Sequence, residues 1–171
     1  MSYLRFAAMI AASTVAMFGL MYLNTYAADH VRFSETRAWM ALMMGAAMAA
    51  AMLAFMLSMY AKPRVNLAIF LAAAAAFAGA LWLVRSQATI DDIDYMTAMI
   101  PHHSIAIMTS ERAKIRDPRV RRLADGIIEA QRREIGEMER LIDDLRRNPV
   151  PEDAPPIAPG SSGEGARPAD S

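Results

Sequence analysis

The sequence predicts an all-α protein in which three transmembrane helices lead into an antiparallel helical hairpin and an unstructured tail. Three observations carry that prediction. The 171 residues are 55% hydrophobic, with no Cys and with 15 Met against 6 Phe, which is not the balance of an average soluble domain. Three apolar runs, residues 3–28, 38–61 and 65–84, hold a single charge between them, Arg5. The charge also divides: residues 1–85 carry six Lys/Arg and two Asp/Glu, a net +4, and the rest carries twelve and sixteen, a net −4.

Each run is long enough to cross a membrane, since about 20 residues at about 1.5 Å rise cover the roughly 30 Å hydrocarbon core. Aromatics mark the expected interfaces: Tyr3, Tyr22 and Tyr26, then Trp39 and Tyr60, then Trp82. Gly45 and Ala49, and the tract Ala72 to Ala76, offer small surfaces for close helix packing. Basic residues near the ends split evenly, with Arg5, Lys62 and Arg64 at one side and Arg32, Arg37 and Arg85 at the other. The Lys62-Pro63-Arg64 turn is the most concentrated, and the segment after the third run is acidic at Asp91, Asp92 and Asp94. The expectation is therefore a multi-pass protein of a bacterial inner membrane with this turn in the cytoplasm and the C-terminal half outside. Cleavage at Thr25-Tyr26-Ala27, the signal-peptide alternative for the first run, leaves that topology unchanged.

The second run carries Met40, Met44, Met48, Met52 and Met56 at spacings of four, flanked by Met43 and Met59. Thioethers at i, i+4 form a stripe along which a soft ion can be passed. Methionine is also a flexible apolar packing residue, the reading preferred here because no charge or His accompanies the stripe.

After the membrane half, residues 86–148 read as a hairpin. Thr89 with Asp92 resembles a capping box, so a helix should begin near Ile90 and run to about Arg116. Asp117-Pro118 then supplies an N-cap and a first-turn proline for a second helix, which Asn148-Pro149 stops near Arg147. Residues 149–171 are Pro, Gly, Ser, Ala and acid, and are predicted to be disordered. The first helix aligns Ile93, Met96, Ile100, His103 and Ile107; the second aligns Val120, Ala124, Ile127, Gln131, Glu134, Met138, Leu141 and Leu145. A tight turn at Asp117 would bring Met96 to Met138, Ile100 to Glu134 and His103 to Gln131, so the polar interruptions share one level.

Burying these groups without partners costs about 1 to 3 kcal/mol each. They either satisfy one another as a register-setting layer or serve a ligand. Met99, His102 and His103 fall at helical spacing around Pro101, which should kink the helix and free the Thr97 carbonyl. Imidazole with thioether favours a soft ion, copper as Cu(I) above all, over zinc. Without Cys, thiolate centres, disulfides and thiol catalysis are excluded, and the acidic soluble half lacks the cationic footprint of a nucleic-acid binder. There is no Glu-x-x-His pair, no His-Glu-x-x-His and no nucleophile beside a base, so no enzyme is expected.

The strings Asp94-Tyr95-Met96, Met99-Ile100-Pro101-His102-His103, Ala106-Ile107-Met108, Leu123-Ala124 and Ile127-Ile128, with Gln131, Glu134-Ile135 and Met138, resemble the domain of unknown function 305 family. Its members are similar to CopM-like copper-binding periplasmic proteins with a ferritin-like helical arrangement. The resemblance covers about residues 89–145 and implies copper, as Cu(I) or Cu(II), at Met96, Met99, His102, His103 and Met138. Gln131 and Glu134 are then expected as supports behind the ligands. The chain departs from the soluble members in having one hairpin, a half-bundle, behind three membrane helices. Two helices bury little core, so besides the lipid bilayer a second copy or a helical partner protein is expected. The competing reading is a structural module that self-associates without metal. His30, with Asp29 and Glu35 between the first two runs, should face the same side as His102 and His103. It is read as a snorkelling interfacial residue, with the sharper alternative that it hands metal to Met40, Met44 and Met48.

Overall fold

The structure, a computed structural model, describes residues 2–151 and 153–160, and every regular element among them is helical. Five α-helices follow one another: α1 (Tyr3–Leu20), α2 (Glu35–Phe55), α3 (Pro63–Ser86), α4 (Asp92–Arg112) and α5 (Pro118–Arg147). Helices α1, α2 and α3 are each long and apolar enough to cross a membrane.

Local chemistry sets the boundaries and moves several of them from where hydropathy alone would put them. The first run stops being helical at Leu20, because Asn24 and the polar stretch after it form turns and a short 3-10 turn over Ala28–His30. Helix α2 begins before its apolar run, where the Ser34 hydroxyl accepts the Arg37 N–H at 3.3 Å as an N-cap. It ends at Phe55, so Tyr60 lies outside the helix. Rather than standing at an interface, Tyr60 is 3% exposed, with its ring 4.9 Å from that of Tyr3 and 5.6 Å from that of Phe6. Pro63 opens α3 at a position where its missing N–H costs nothing.

In the membrane half α2 packs against both α1 and α3. Gly45 is required by the first contact: a Cβ there would run into the Thr14 side chain of α1. At the far end Phe6, Leu53 and Tyr60 form a buried cluster with Tyr3, Ile69 and Phe70 around it. Tyr3 Oη donates to Asn66 Oδ1 at 2.8 Å, and Asn66 Nδ2 donates to the Tyr60 carbonyl at 2.9 Å, tying the start of α1 to the α2–α3 turn. Of the alanine tract only Ala73 is buried.

Helix α3 ends on Gln87 in the left-handed region, φ 54°, which turns the chain towards α4. Asp91, not Thr89, caps α4, accepting the Asp94 N–H at 2.7 Å. The helix stops at Arg112, one turn short of Arg116, and an extended stretch leads to Asp117, which caps α5 through the Arg119 N–H at 2.8 Å as expected. Helices α4 and α5 pair antiparallel: His103 meets Glu134, Glu111 meets Arg132, and Ser110 meets Arg121.

The seam of α5 differs from the predicted one. Ala124, Ile135 and Ile142 are buried, with Ile128, Met138 and Leu145 packed beside them, so the stripe runs 124, 128, 131, 135, 138, 142, 145. Ile127 and Leu141, placed on the seam from sequence, are exposed, as are Val120 and Leu123. Facing this seam are Met96, Ile100 and Ile107, with Ile93 at the edge. From Pro149 to Gly160 the described residues are exposed and form neither helix nor strand. The rest of the predicted disordered tail, Glu152 and residues 161–171, lies outside the described residues.

Candidate metal centre

Consecutive residues on an α-helix point about 100° apart, and this separates the two adjacent histidines. The His102 and His103 ring centroids are 6.4 Å apart, with the planes at 65°. They face different cavities on either side of α4. His103 is turned towards α5; His102 is turned towards the membrane half.

Pro101 is fully buried and carries no N–H, so the carbonyl of Thr97 loses its usual helical donor. The helix nevertheless remains continuous from Asp92 to Arg112. Two residues on, the His103 ring folds back against the helix, with Nδ1 3.0 Å from the Met99 carbonyl oxygen. A carbonyl only accepts, so Nδ1 carries a hydrogen and the tautomer is fixed. Nε2 then points away from the helix, 2.8 Å from Glu134 Oε2. Gln131 lies on the α5 seam but is not the partner of His103.

The cavity on this side has a volume of about 480 Å³ and is lined by Met96, Met99, His103 and Met138 together with the acidic residues Asp92, Glu134, Glu137 and Asp144. Of the predicted ligands, four therefore line one space, and Glu134 reaches the imidazole directly instead of standing behind it. Among the described residues no three His, Asp or Glu side chains gather as a group able to hold a metal ion. The cavity thus offers one imidazole, three thioethers and four carboxylates, of which Glu134 is the one in contact with the imidazole.

On the opposite face, His102 shares a cavity of about 420 Å³ with Met21, Met40 and Met99, so Met99 borders both spaces. His30 lines neither. Its Nδ1 lies 2.9 Å from the hydroxyl of Ser104, which also accepts the backbone N–H of Tyr26 at 2.9 Å. His30 is thus held against the hairpin through Ser104. Met40 reaches the cavity, while Met44 and Met48 are half-buried further along α2. Arg32 pairs with Glu139 at 2.9 Å, so the loop between α1 and α2 grips both helices of the hairpin. This grip puts that loop and the hairpin at one end of the membrane helices, and the Tyr3–Asn66 contact puts the chain's start and the α2–α3 turn at the other.

Sequence reasoning missed Ser104, which is 0% exposed. Its signal was available: four residues after Ile100 and three before Ile107, it falls on the α4 core stripe, where a buried hydroxyl needs partners from another element.

Residues 92–170 match the family model described as "Domain of unknown function (DUF305)". Among curated proteins, the chain is 43% identical over 68 residues to "Uncharacterized protein L153" of Acanthamoeba polyphaga mimivirus, a stretch covering 39% of this chain and 45% of that protein. The chain thus spans less than half the length of that relative. No solved structure matches. The match to the DUF305 family model therefore takes in the antiparallel hairpin, with His102 and His103, and the stretch that follows it.

Proposed function

We propose that the protein is a membrane-anchored binder of a soft metal ion, copper as Cu(I) foremost, that holds the ion on the hairpin and acts in metal homeostasis by binding and not by catalysis. One observation carries the reading: His103, with Nδ1 anchored on a backbone carbonyl and Nε2 beside Glu134, lines one cavity with the thioethers of Met96, Met99 and Met138. An imidazole fixed through its other nitrogen is the arrangement that orients a metal ligand. Thioethers favour Cu(I) or Ag(I) over Zn(II), and Glu134 places a negative charge beside a monovalent cation. The donor set therefore fits the ion.

A second reading has its own support, since the 2.8 Å contact between His103 and Glu134 already satisfies the polar layer as a register device without metal. Titration of the full-length protein in detergent separates the two. Under the metal reading Ag(I) and Cu(I) bind more tightly than Zn(II), His103→Ala and Met138→Leu each weaken hairpin binding, and affinity drops as pH falls, because Nε2 must give up its proton to ligate. Unchanged Ag(I) affinity in both variants would leave only the register role.

We also infer that the hairpin faces the extracytoplasmic side of a bacterial inner membrane. At the hairpin end Arg32 is paired with Glu139 and Arg37 is held by the Met21 carbonyl at 3.1 Å and over the Tyr22 ring at 4.4 Å, which leaves Arg85 as the exposed base there. Lys62 and Arg64 at the other end are exposed, which supports placing that turn in the cytoplasm. Alkaline phosphatase fused after Asn148 should be active and a fusion at Pro63 inactive; the opposite pattern would invert the orientation.

A further inference from the structure

We propose a second soft-metal site at the junction of the membrane half and the hairpin, built from Met21 after α1, Met40 of α2, and Met99 and His102 of α4. It rests on the reading of the chain as a soft-metal protein but, Met99 aside, uses none of the residues around His103. These four side chains line one cavity of about 420 Å³. Three are thioethers and the fourth is an imidazole with no hydrogen-bond partner among the described residues, so both of its ring nitrogens are uncommitted. That contrasts with His30 and His103, each of which has a polar partner within 3.0 Å.

The cationic group on the same cavity is Arg37, whose guanidinium donates to the Met21 backbone carbonyl at 3.1 Å and lies over the Tyr22 ring at 4.4 Å. Three thioethers and an imidazole supply the four soft donors that a monovalent copper or silver ion accepts, whereas a hard divalent ion would find no carboxylate among the lining residues. The site also has a position that the hairpin alone cannot create. Met21 and Met40 come from the ends of two membrane helices, and Met40 begins the spacing of four that continues through Met44, Met48, Met52 and Met56. Met99 lies between the two cavities, so an ion leaving His103 has a shared thioether next to it.

The test is ion counting on the intact, folded full-length protein in detergent, loaded with Ag(I) and weighed by native mass spectrometry. Wild type should carry two ions, the Met21→Leu/Met40→Leu double variant one, and His102→Ala one. Met→Leu nearly conserves volume, and His102 is exposed, so neither change removes core packing. His103→Ala should also carry one ion, the one retained at the junction. Two ions bound in both the double variant and His102→Ala would overturn the proposal. So would a wild type that carries one ion, lost in His103→Ala and kept in the double variant, a result that leaves the hairpin site standing. One ion lost in the double variant and kept in His103→Ala would support the junction and overturn the hairpin reading; no ion at all would overturn both.

Discussion

On α3 the leucines of the membrane half face outwards, whereas the isoleucines between α4 and α5 face inwards. Leu67 and Leu71 of α3 are 60% and 62% exposed, whereas Ile100, Ile107 and Ile142 of the hairpin are 0%, 1% and 1% exposed. The same residue chemistry serves opposite ends because the surroundings differ. Lipid solvates a leucine, so an outward-facing leucine costs nothing there, and a small residue lets two such helices approach, as at Gly45 against Thr14. Water does not, so α4 and α5 hold together by burying isoleucine and methionine against each other.

The largest expected effect tests this contrast. Ile142→Ala should destabilise the α4–α5 pair by about 2 to 5 kcal/mol, the usual range for truncating a buried aliphatic side chain. Leu71→Ala should change stability by no more than about 0.5 kcal/mol, as for an outward-facing position. Hydrogen exchange of α5 amides in the detergent-solubilised protein measures both. If Leu71→Ala proved as costly as Ile142→Ala, the outward face of α3 would have to be covered by protein.

The contrast also explains what could be read from the sequence. The three spans were legible because unbroken apolar runs do not depend on which face is which. The hairpin was legible through Asp117-Pro118 and Asn148, residues whose effect is local. The seam of α5 was not, because this helix carries two adjacent stripes that cross at Gln131, Met138 and Leu145. One continues through Ile127, Glu134 and Leu141, the other through Ile128, Ile135 and Ile142, and both keep spacings of three and four. Only the facing helix selects between them. That choice moved Glu134 from the core to its edge, where it reaches His103 Nε2. The α4 start was ambiguous for a similar reason, since Thr89 with Asp92 and Asp91 with Asp94 both have the spacing of a cap. The two histidines were recognised as a pair, but the helical twist gives them different neighbours.

Between the two regions lies a seam held by few polar contacts, and a mid-sized effect is expected there. Ser104 is the buried hydroxyl that receives Tyr26 N–H and meets His30. Ser104→Ala would strand those groups and should cost about 1 to 3 kcal/mol, seen as faster hydrogen exchange at Tyr26 with α5 unaffected. Equal loosening of α5 would mean that the loop and the hairpin core form one cooperative unit.

The smallest effect concerns the one repulsion identified across the same seam. The Asp94 carboxyl on α4 is pushed above the usual carboxylate range, chiefly by burial and then by the charges of Asp91 and of Glu35 at the start of α2, although its backbone contact with Asp91 opposes this. A carboxyl whose folded pKa is raised holds its proton more readily when folded than when unfolded. Its contribution to stability is therefore fully present below the unfolded pKa, about 3.9, and is lost as pH rises through the folded value. At neutral pH the ionised group works against the packing of α4 beside α2. Asp94→Asn keeps the shape and removes the charge, so it should raise the melting temperature at pH 7 slightly, with the gain over wild type shrinking as the pH is lowered towards 4. Glu35→Gln, which removes the charge on the membrane side, should reproduce part of that gain. A lower melting temperature for Asp94→Asn at pH 7 would mean that the favourable placement of a negative charge in the first turn of α4 outweighs burial and repulsion, and the seam would then contain no electrostatic opposition between the two regions at this residue.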